Sequence, residues 1–207
     1  AFPAPIVFAL LLNEVRSMLY KRIVQTVVYM PHFLSWVIIG GVSLAMLSQD
    51  HGVVNHLRDA IGLERIYFLG EESYIKTVIV SAGVWRDMGW GTIIYLAALT
   101  GINPELHEAA VVDGASKVQR IWHVDVPGIM PTVIIMLILN VGHFMNVGFE
   151  KAYLLQNPLN SSSSEVIQTY VYKTGLISAQ YSYSAAVGLF NSIVNCILLV
   201  VINTIAK

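Results

Sequence analysis

The chain has 207 residues, of which 56% are hydrophobic and only 12% charged, with a mean hydropathy of +0.64. Soluble domains are usually about a quarter charged, so the expected solvent of this chain is lipid. A net charge of −1 without basic runs excludes an electrostatic nucleic-acid surface. The single cysteine, Cys196, excludes a disulfide framework and a cysteine-based metal site.

Apolar segments long enough to cross a bilayer recur along the chain. A spanning helix needs roughly 20 mostly apolar residues. The sequence predicts one partial span followed by four full spans, over residues 2–12, 23–47, 75–99, 128–147 and 184–205. Pro31 lies inside the second span, where neighbouring helices can satisfy the carbonyl that it leaves free. We therefore predict an all-α membrane protein, a helical bundle that forms a single domain over residues 1–207.

The first residues, AFPAPIVFALLLNEVR, contain neither an initiator methionine nor the charged region of a signal peptide. We interpret them as a helix entered partway along. The chain is therefore expected to be truncated at its N-terminus, with an earlier span preceding Phe2.

Lysine and arginine residues in the loops predict the orientation of the spans. One side carries Arg16, Lys21, Arg22, Lys117, Arg120 and Lys207. The other side carries Arg58, Arg65, Lys76, Lys151 and Lys173, in much longer loops. The higher density of positive charge favours a cytoplasmic position for the first side, which includes residues 103–127.

The most polar stretch between two spans is NPELHEAAVVDGASKVQRIWHVDVP. Asn103 suits the N-cap of a helix, and Pro104 suits its first position. Gly114 is expected to end that helix, because glycine adopts a left-handed conformation at little cost. Ser116 and Gln119 form an S-x-x-Q capping box for a second helix. The stretch therefore predicts two short helices joined by a bend at the membrane surface.

The capping and bend signals alone leave two interpretations of residues 103–127 open. One is a plain amphipathic connector that rests on the lipid headgroups. The other is a docking element, because exposed Ala109 and Ala110 would let another backbone approach closely.

The block EAAVVDGASKVQRIWHVDVP resembles the EAA loop of binding-protein-dependent ABC importer permeases, in which E-A-A is followed by three residues, a glycine and a hydrophobic helix ending in proline. The residues on that pattern are Glu108, Ala109, Ala110, Asp113, Gly114 and Pro127. Five other segments resemble the oligosaccharide branch of the maltose-permease superfamily: FPAPIVFALLLNEVR, VVYMPHFLSWVIIGG, NVGFEKAYLLQNPL, EVIQTYVYKTGL and YSAAVGLFNSIVN.

The resemblance implies the fold of a type I ABC importer permease, with about five of six spans visible. It implies that residues 103–127 form a cytoplasmic coupling helix that docks on an ATPase subunit. The residues expected to couple are Glu108, Ala109, Ala110, Asp113, Gly114, Ser116 and Pro127. The expected partners are a second homologous permease, two cytoplasmic ATPase subunits that bind ATP and Mg²⁺, and an extracytoplasmic solute-binding protein. The chain itself would be a multi-pass, non-enzymatic subunit of the bacterial cytoplasmic membrane, without a cofactor of its own.

Polar residues inside the predicted spans are candidates for a substrate cavity, because such residues are costly in a membrane and often functional. The candidates are Asn140, His143 and Asn146 on one face of the fourth span, Trp85 and Trp90 on the third, and Asn191 on the last. Aromatic faces and amides suit a sugar better than a metal or a lipid. The alternative for Asn191 is a cross-helix hydrogen bond, and the alternative for Arg86 with Asp87 is a structural ion pair.

Other classes of protein find little support in the sequence. It contains no P-loop, H-E-x-x-H or G-x-S-x-G motif. An intramembrane hydrolase that uses His143 and Asp87 would have no motif behind it. A secondary transporter or a channel remains the alternative, although secondary transporters usually carry internal repeats, and none is found here.

Overall fold

The computed structural model describes residues 2–142, 145, 146 and 148–205, and this part of the chain contains helices and loops but no strand. The helices are α1 (Pro3–Asn13), α2 (Met18–Tyr29), α3 (Trp36–Leu47), α4 (Val53–Ala60), α5 (Glu72–Thr100), α6 (Pro104–Val112), α7 (Lys117–Arg120), α8 (Val126–Val141), α9 (Phe149–Leu155), α10 (Ser161–Ser164), α11 (Ile167–Tyr172) and α12 (Tyr181–Ile205). A 3-10 turn over Met30–Phe33 follows α2, and π turns cover Ile121–Asp125 and Lys173–Ile177. The predicted all-α class is confirmed.

Helix α5 is the central element, with 29 residues packed against α1, α2, α3, α8, α9 and α10. One core lies near its C-terminal end and consists of Ala9, Leu12, Tyr95, Leu96, Leu99 and Ile129. A second core lies near its N-terminal end and consists of Leu69, Ile75, Val78, Ile79 and Leu155. The two cores hold both ends of α5, and the section between them lines a cavity.

Two continuous helices in the described residues are long and apolar enough to cross a membrane, Lys117–Val141 and Tyr181–Thr204. A bent pair, Met18–Phe33 with Trp36–Leu47, makes a third if it forms one span. Helix α5 is long enough, at about 1.5 Å per residue, but Arg86 and Asp87 make it less apolar.

The helix predicted over residues 23–47 is not continuous, because the two helices of this segment meet at an angle of 104°. Pro31 has no N–H for a helical hydrogen bond, and the 3-10 turn replaces the helix there. Leu34 then takes an extended conformation, and the Ser35 hydroxyl accepts a hydrogen bond from the Ile38 N–H at 3.3 Å to begin α3.

The predicted boundaries around the fourth span also need correction. The second short helix is not a separate surface element, since α7 continues through a π turn into α8 and the three form one helix over Lys117–Val141. This helix ends at Val141 rather than near residue 147. The Met145 N–H bonds to the Asn195 side-chain oxygen at 3.3 Å instead of to a helical carbonyl. Asn140 and Asn146 therefore do not share a helix face.

Candidate functional site

The caps predicted around the bend of residues 103–127 are confirmed. The Asn103 side chain accepts from the Glu105 N–H at 3.0 Å. Gly114 has a φ of +76°, the left-handed conformation that glycine takes cheaply. The Gln119 N–H donates to the Ser116 hydroxyl, and the Ser116 N–H donates to the Gln119 side chain at 2.8 Å. Both helix starts are thus fixed by local hydrogen bonds.

Residues 103–127 present most of their candidate coupling residues on the surface. Glu108, Ala109, Asp113, Gly114, Ser116 and Pro127 are exposed, and Ala110 is half-buried. A Cβ atom at Gly114 would meet nothing within 4 Å in the described chain. Val112 beside it is 87% exposed.

One contact that sequence reasoning missed ties α6 to the start of α8. The His107 Nε2 lies 3.4 Å from a carboxylate oxygen of Asp125, whose side chain is only 2% exposed. The contact links α6 to the long helix that begins at Lys117. No spacing rule links these two residues, since the bend at Gly114 brings them together.

A cavity with a volume of about 430 Å³ lies beside the middle of α5. Its wall also includes residues from α1, the 3-10 turn, α8 and α9. Of the predicted cavity residues, Trp90 and Asn140 both line it, and Asn140 donates its amide to the Met136 carbonyl at 2.8 Å. A volume of this size lies within the roughly 300–1,000 Å³ typical of small-molecule sites.

A charged cluster forms one part of the cavity wall. The Asp87 carboxylate accepts from Arg86 at 3.0 Å and lies 3.1 Å from the His32 Nδ1. The His32 ring stacks on Trp90 with centroids 4.6 Å apart. Sequence reasoning missed His32, because a bend in the chain brings it to α5.

Arg86 also reaches the break between α2 and α3. Its Nε donates to the Leu34 carbonyl at 3.3 Å, and its guanidinium lies 4.8 Å from the centre of the Trp36 ring. This geometry favours the ion-pair interpretation of Arg86 and Asp87, because the pair holds the bend in place.

Lys151 on α9 contributes a positive charge to the cavity wall. Its aliphatic chain crosses Gly148, where a Cβ atom would lie 2.9 Å from the Lys151 Cε. Gly148 has a φ of +97°, so glycine provides both the backbone conformation and the space. Burial lowers the pKa of Lys151, and the nearby negative charge of Asp87 opposes that effect.

The remaining cavity candidates lie elsewhere. Asn191 lines a second cavity of about 520 Å³ between α11 and α12. Its amide reaches the Asn146 side-chain oxygen at 3.5 Å, and Gln168 donates to the same oxygen at 3.0 Å. Trp85 borders a third cavity of about 300 Å³ beside α3. His143 lies outside the described residues.

Metal chemistry has no visible basis in the part of the chain that the structure describes. No group of three or more histidine, cysteine, aspartate or glutamate side chains is placed there to hold an ion. The polar groups are instead those of a cavity and of a surface loop.

Comparison with known proteins assigns the family. Residues 1–207 match the family described as binding-protein-dependent transport system inner membrane component. The chain belongs to this family. Its members are transport components of a membrane, which agrees with the predicted non-enzymatic class and with the long apolar helices.

Two relatives within the family come from Bacillus subtilis (strain 168). Protein LplB is 47% identical over 207 residues, which is all of this chain and 65% of the relative. The polygalacturonan/rhamnogalacturonan transport system permease protein YteP is 46% identical over 206 residues, again all of this chain and 64% of the relative. The chain thus spans slightly less than two thirds of either protein.

Solved structures give the same family fold. A bacterial alginate ABC transporter, in complex with an alginate pentasaccharide-bound periplasmic protein, contains a chain that superposes with a TM-score of 0.97 and is 41% identical. The match covers 100% of the present chain and 72% of that chain. The expected helical bundle of an ABC importer permease is therefore confirmed.

Proposed function

We propose that this chain is the membrane-spanning permease subunit of an ATP-driven ABC importer that translocates an oligosaccharide. The observation that carries the proposal is the superposition of the whole chain on a chain of a bacterial alginate ABC transporter, at a TM-score of 0.97 and 41% identity. Fold alone does not determine function, but this likeness extends through the sequence as well as the backbone.

Carbohydrate is the proposed class of substrate. The relative YteP is named for polygalacturonan and rhamnogalacturonan transport, and the structural relative is an alginate transporter. The cavity beside α5 supplies suitable chemistry, since an aromatic face from Trp90 can stack on a sugar ring and the Asn140 amide can serve hydroxyl groups. Asn146 and Asn191 are proposed to contact the substrate along its path at the neighbouring cavity.

Residues 103–127 are proposed to act as the cytoplasmic coupling helix. Exposed Ala109 and Gly114 would pack into a cleft of an ATPase subunit, which would bind ATP and Mg²⁺. The His107–Asp125 contact would then pass the movement of α6 to the helix over Lys117–Val141. Closure of two ATPase subunits would in this way change the side on which the cavity opens.

The proposed assembly contains a second homologous permease, two ATPase subunits and an extracytoplasmic solute-binding protein. Its proposed place is the bacterial cytoplasmic membrane, with residues 1–207 as one permease domain. The apolar windows of the two long helices support a lipid or partner-helix environment, because only 11% and 0% of those windows are buried within the described chain.

Affinity purification of the complete chain from native membranes tests the assembly. We expect an ATPase subunit and a second permease to be recovered with it, since the coupling loop and the exposed apolar helices need partners. A secondary transporter or a channel would be recovered without an ATPase, and that result would overturn the proposal.

Reconstitution of the purified complex into vesicles tests transport itself. Uptake of labelled oligosaccharide is expected only with the binding protein outside and ATP inside. A complex loaded with a nonhydrolysable ATP analogue is the matched control, and equal uptake in the two samples would contradict ATP-driven import.

A further inference from the structure

We infer that Lys151 is a specificity-determining residue that binds a carboxylate group of the substrate, so that the translocated sugar is an acidic, uronate-bearing oligosaccharide. This inference rests on the proposed function as a carbohydrate permease. It goes further by naming the charge of the sugar and the side chain that recognises it.

The position of Lys151 in the fold supports this role. The residue belongs to α9, whose neighbours Ala152 and Leu155 are buried, so the helix is held firmly while Lys151 lies on the wall of the 430 Å³ cavity. Its stem lies across Gly148, where any other residue would push it aside. A lysine held in this way reaches the cavity with few alternative conformations, which lowers the entropy lost on binding a ligand.

The other charges at the cavity make Lys151 the cation that remains for a ligand. Arg86 is bound to Asp87 and to the Leu34 carbonyl, and it is not among the residues that line the cavity. Asp87 in turn is contacted by both Arg86 and His32. Among the described residues, the Lys151 amino group forms no salt bridge with a carboxylate, and a ligand carboxylate would provide one.

The rest of the wall suits a sugar that carries this carboxylate. Trp90 is held against the His32 ring with centroids 4.6 Å apart, so its indole is fixed in orientation. Asn140 offers an amide on the α8 side of the same cavity. An aromatic ring, an amide and one unsatisfied cation together match a ring with C–H faces, hydroxyl groups and one negative charge.

Sugar binding to the purified complex in nanodiscs, without the binding protein, tests the inference. The probes are oligogalacturonides and the same oligosaccharides after chemical reduction of their carboxyl groups. Wild-type complex is expected to bind the acidic form at least about tenfold more tightly, as a charge-assisted hydrogen bond implies. Lys151→Met should remove this preference, whereas Lys151→Arg should keep most of it.

Lys173→Met is the matched control, because Lys173 pairs with Glu165 at 2.8 Å outside the cavity. It should behave as wild type. The inference is overturned if the wild-type complex shows no preference for the acidic sugar, or if Lys151→Met retains the preference. Vesicle uptake of any oligosaccharide by the wild-type complex tests the proposed function separately, so the two failures are distinguishable.

Discussion

Arg86 makes three contacts at the break in the second predicted span, and each uses a different property of its side chain. The Nε donates to the Leu34 carbonyl, one terminal nitrogen pairs with Asp87, and the flat guanidinium covers Trp36. Lysine has neither the planar fork nor the second donor direction. The geometry of the bend should therefore depend on arginine rather than on positive charge.

We expect Arg86→Lys and Arg86→Met both to lower the melting temperature of the purified complex. Each removes a hydrogen bond to a charged group, which contributes about 1.5–3 kcal/mol. Arg16→Met is the control, because Arg16 is exposed and surface substitutions usually change stability by less than about 0.5 kcal/mol. A wild-type melting temperature for Arg86→Lys would show that charge alone is sufficient.

Single residues were predictable from the sequence where their partners are close in the chain. Asn103, Ser116 and Gln119 cap as expected because each bonds within three residues of itself. The partners of Arg86 and Asn191 come from other elements, and no local pattern carries that information.

The bend between α6 and α7 is the element on which the coupling proposal depends, and a matched glycine elsewhere makes it testable. Gly114 and Gly62 both have a φ of +76°, and a Cβ atom at either would meet nothing within 4 Å in the described chain. A side chain introduced at either site should therefore cost similar backbone strain, about 1–2 kcal/mol. A difference in transport between the two variants would therefore reflect a contact of one site with a partner outside this chain.

We expect Gly114→Trp to abolish ATP-driven uptake while the chain still inserts in the membrane, because the indole would occupy the space of the ATPase cleft. Gly62→Trp should transport normally. Uptake by vesicles and the ATPase rate of the complex are the measurements, with the amount of membrane-inserted chain as the reference. Normal coupling in Gly114→Trp would refute the docking role of the bend.

Helix boundaries were harder to predict than helix existence, and the reason is visible in two elements. The composition of residues 23–47 fits a span, but the break depends on Ser35 as a cap and on Arg86 from α5. The fourth span was predicted to reach residue 147, but Asn195 on α12 takes the Met145 N–H. Hydropathy indicates whether a segment lies in lipid or in water, whereas the ends of its helix are set by tertiary hydrogen bonds.

At the scale of the whole molecule, the apolar surface of α12 explains why lipid could be predicted from composition alone. None of the apolar window of this helix is buried within the described chain. Composition contains no comparable signal for which of the candidate residues line the same cavity. Trp90 and Asn140 meet at one cavity, whereas Asn191 and Trp85 line two others, because the packing of α5, α8 and α12 decides which faces meet.

Orientation in the membrane is a further whole-molecule property, and the single cysteine makes it accessible to measurement. Replacing Cys196 by serine leaves a chain without cysteine, to which one can be added at a chosen site. Val112 lies in the proposed coupling loop, and Ile61 follows α4 in a loop that is predicted to lie on the opposite side. They are 87% and 72% exposed, so cysteine at either site should react readily with a maleimide.

We expect a membrane-impermeant maleimide to label Ile61→Cys in intact right-side-out vesicles and to label Val112→Cys only after the vesicles are permeabilised. The reason is that the denser lysine and arginine residues flank the loop of residues 103–127. Labelling of denatured protein controls for the reactivity of each cysteine. The reverse pattern would place the bend at Gly114 outside the cell, where no ATP-driven subunit could reach it, and the coupling proposal would fail with the orientation.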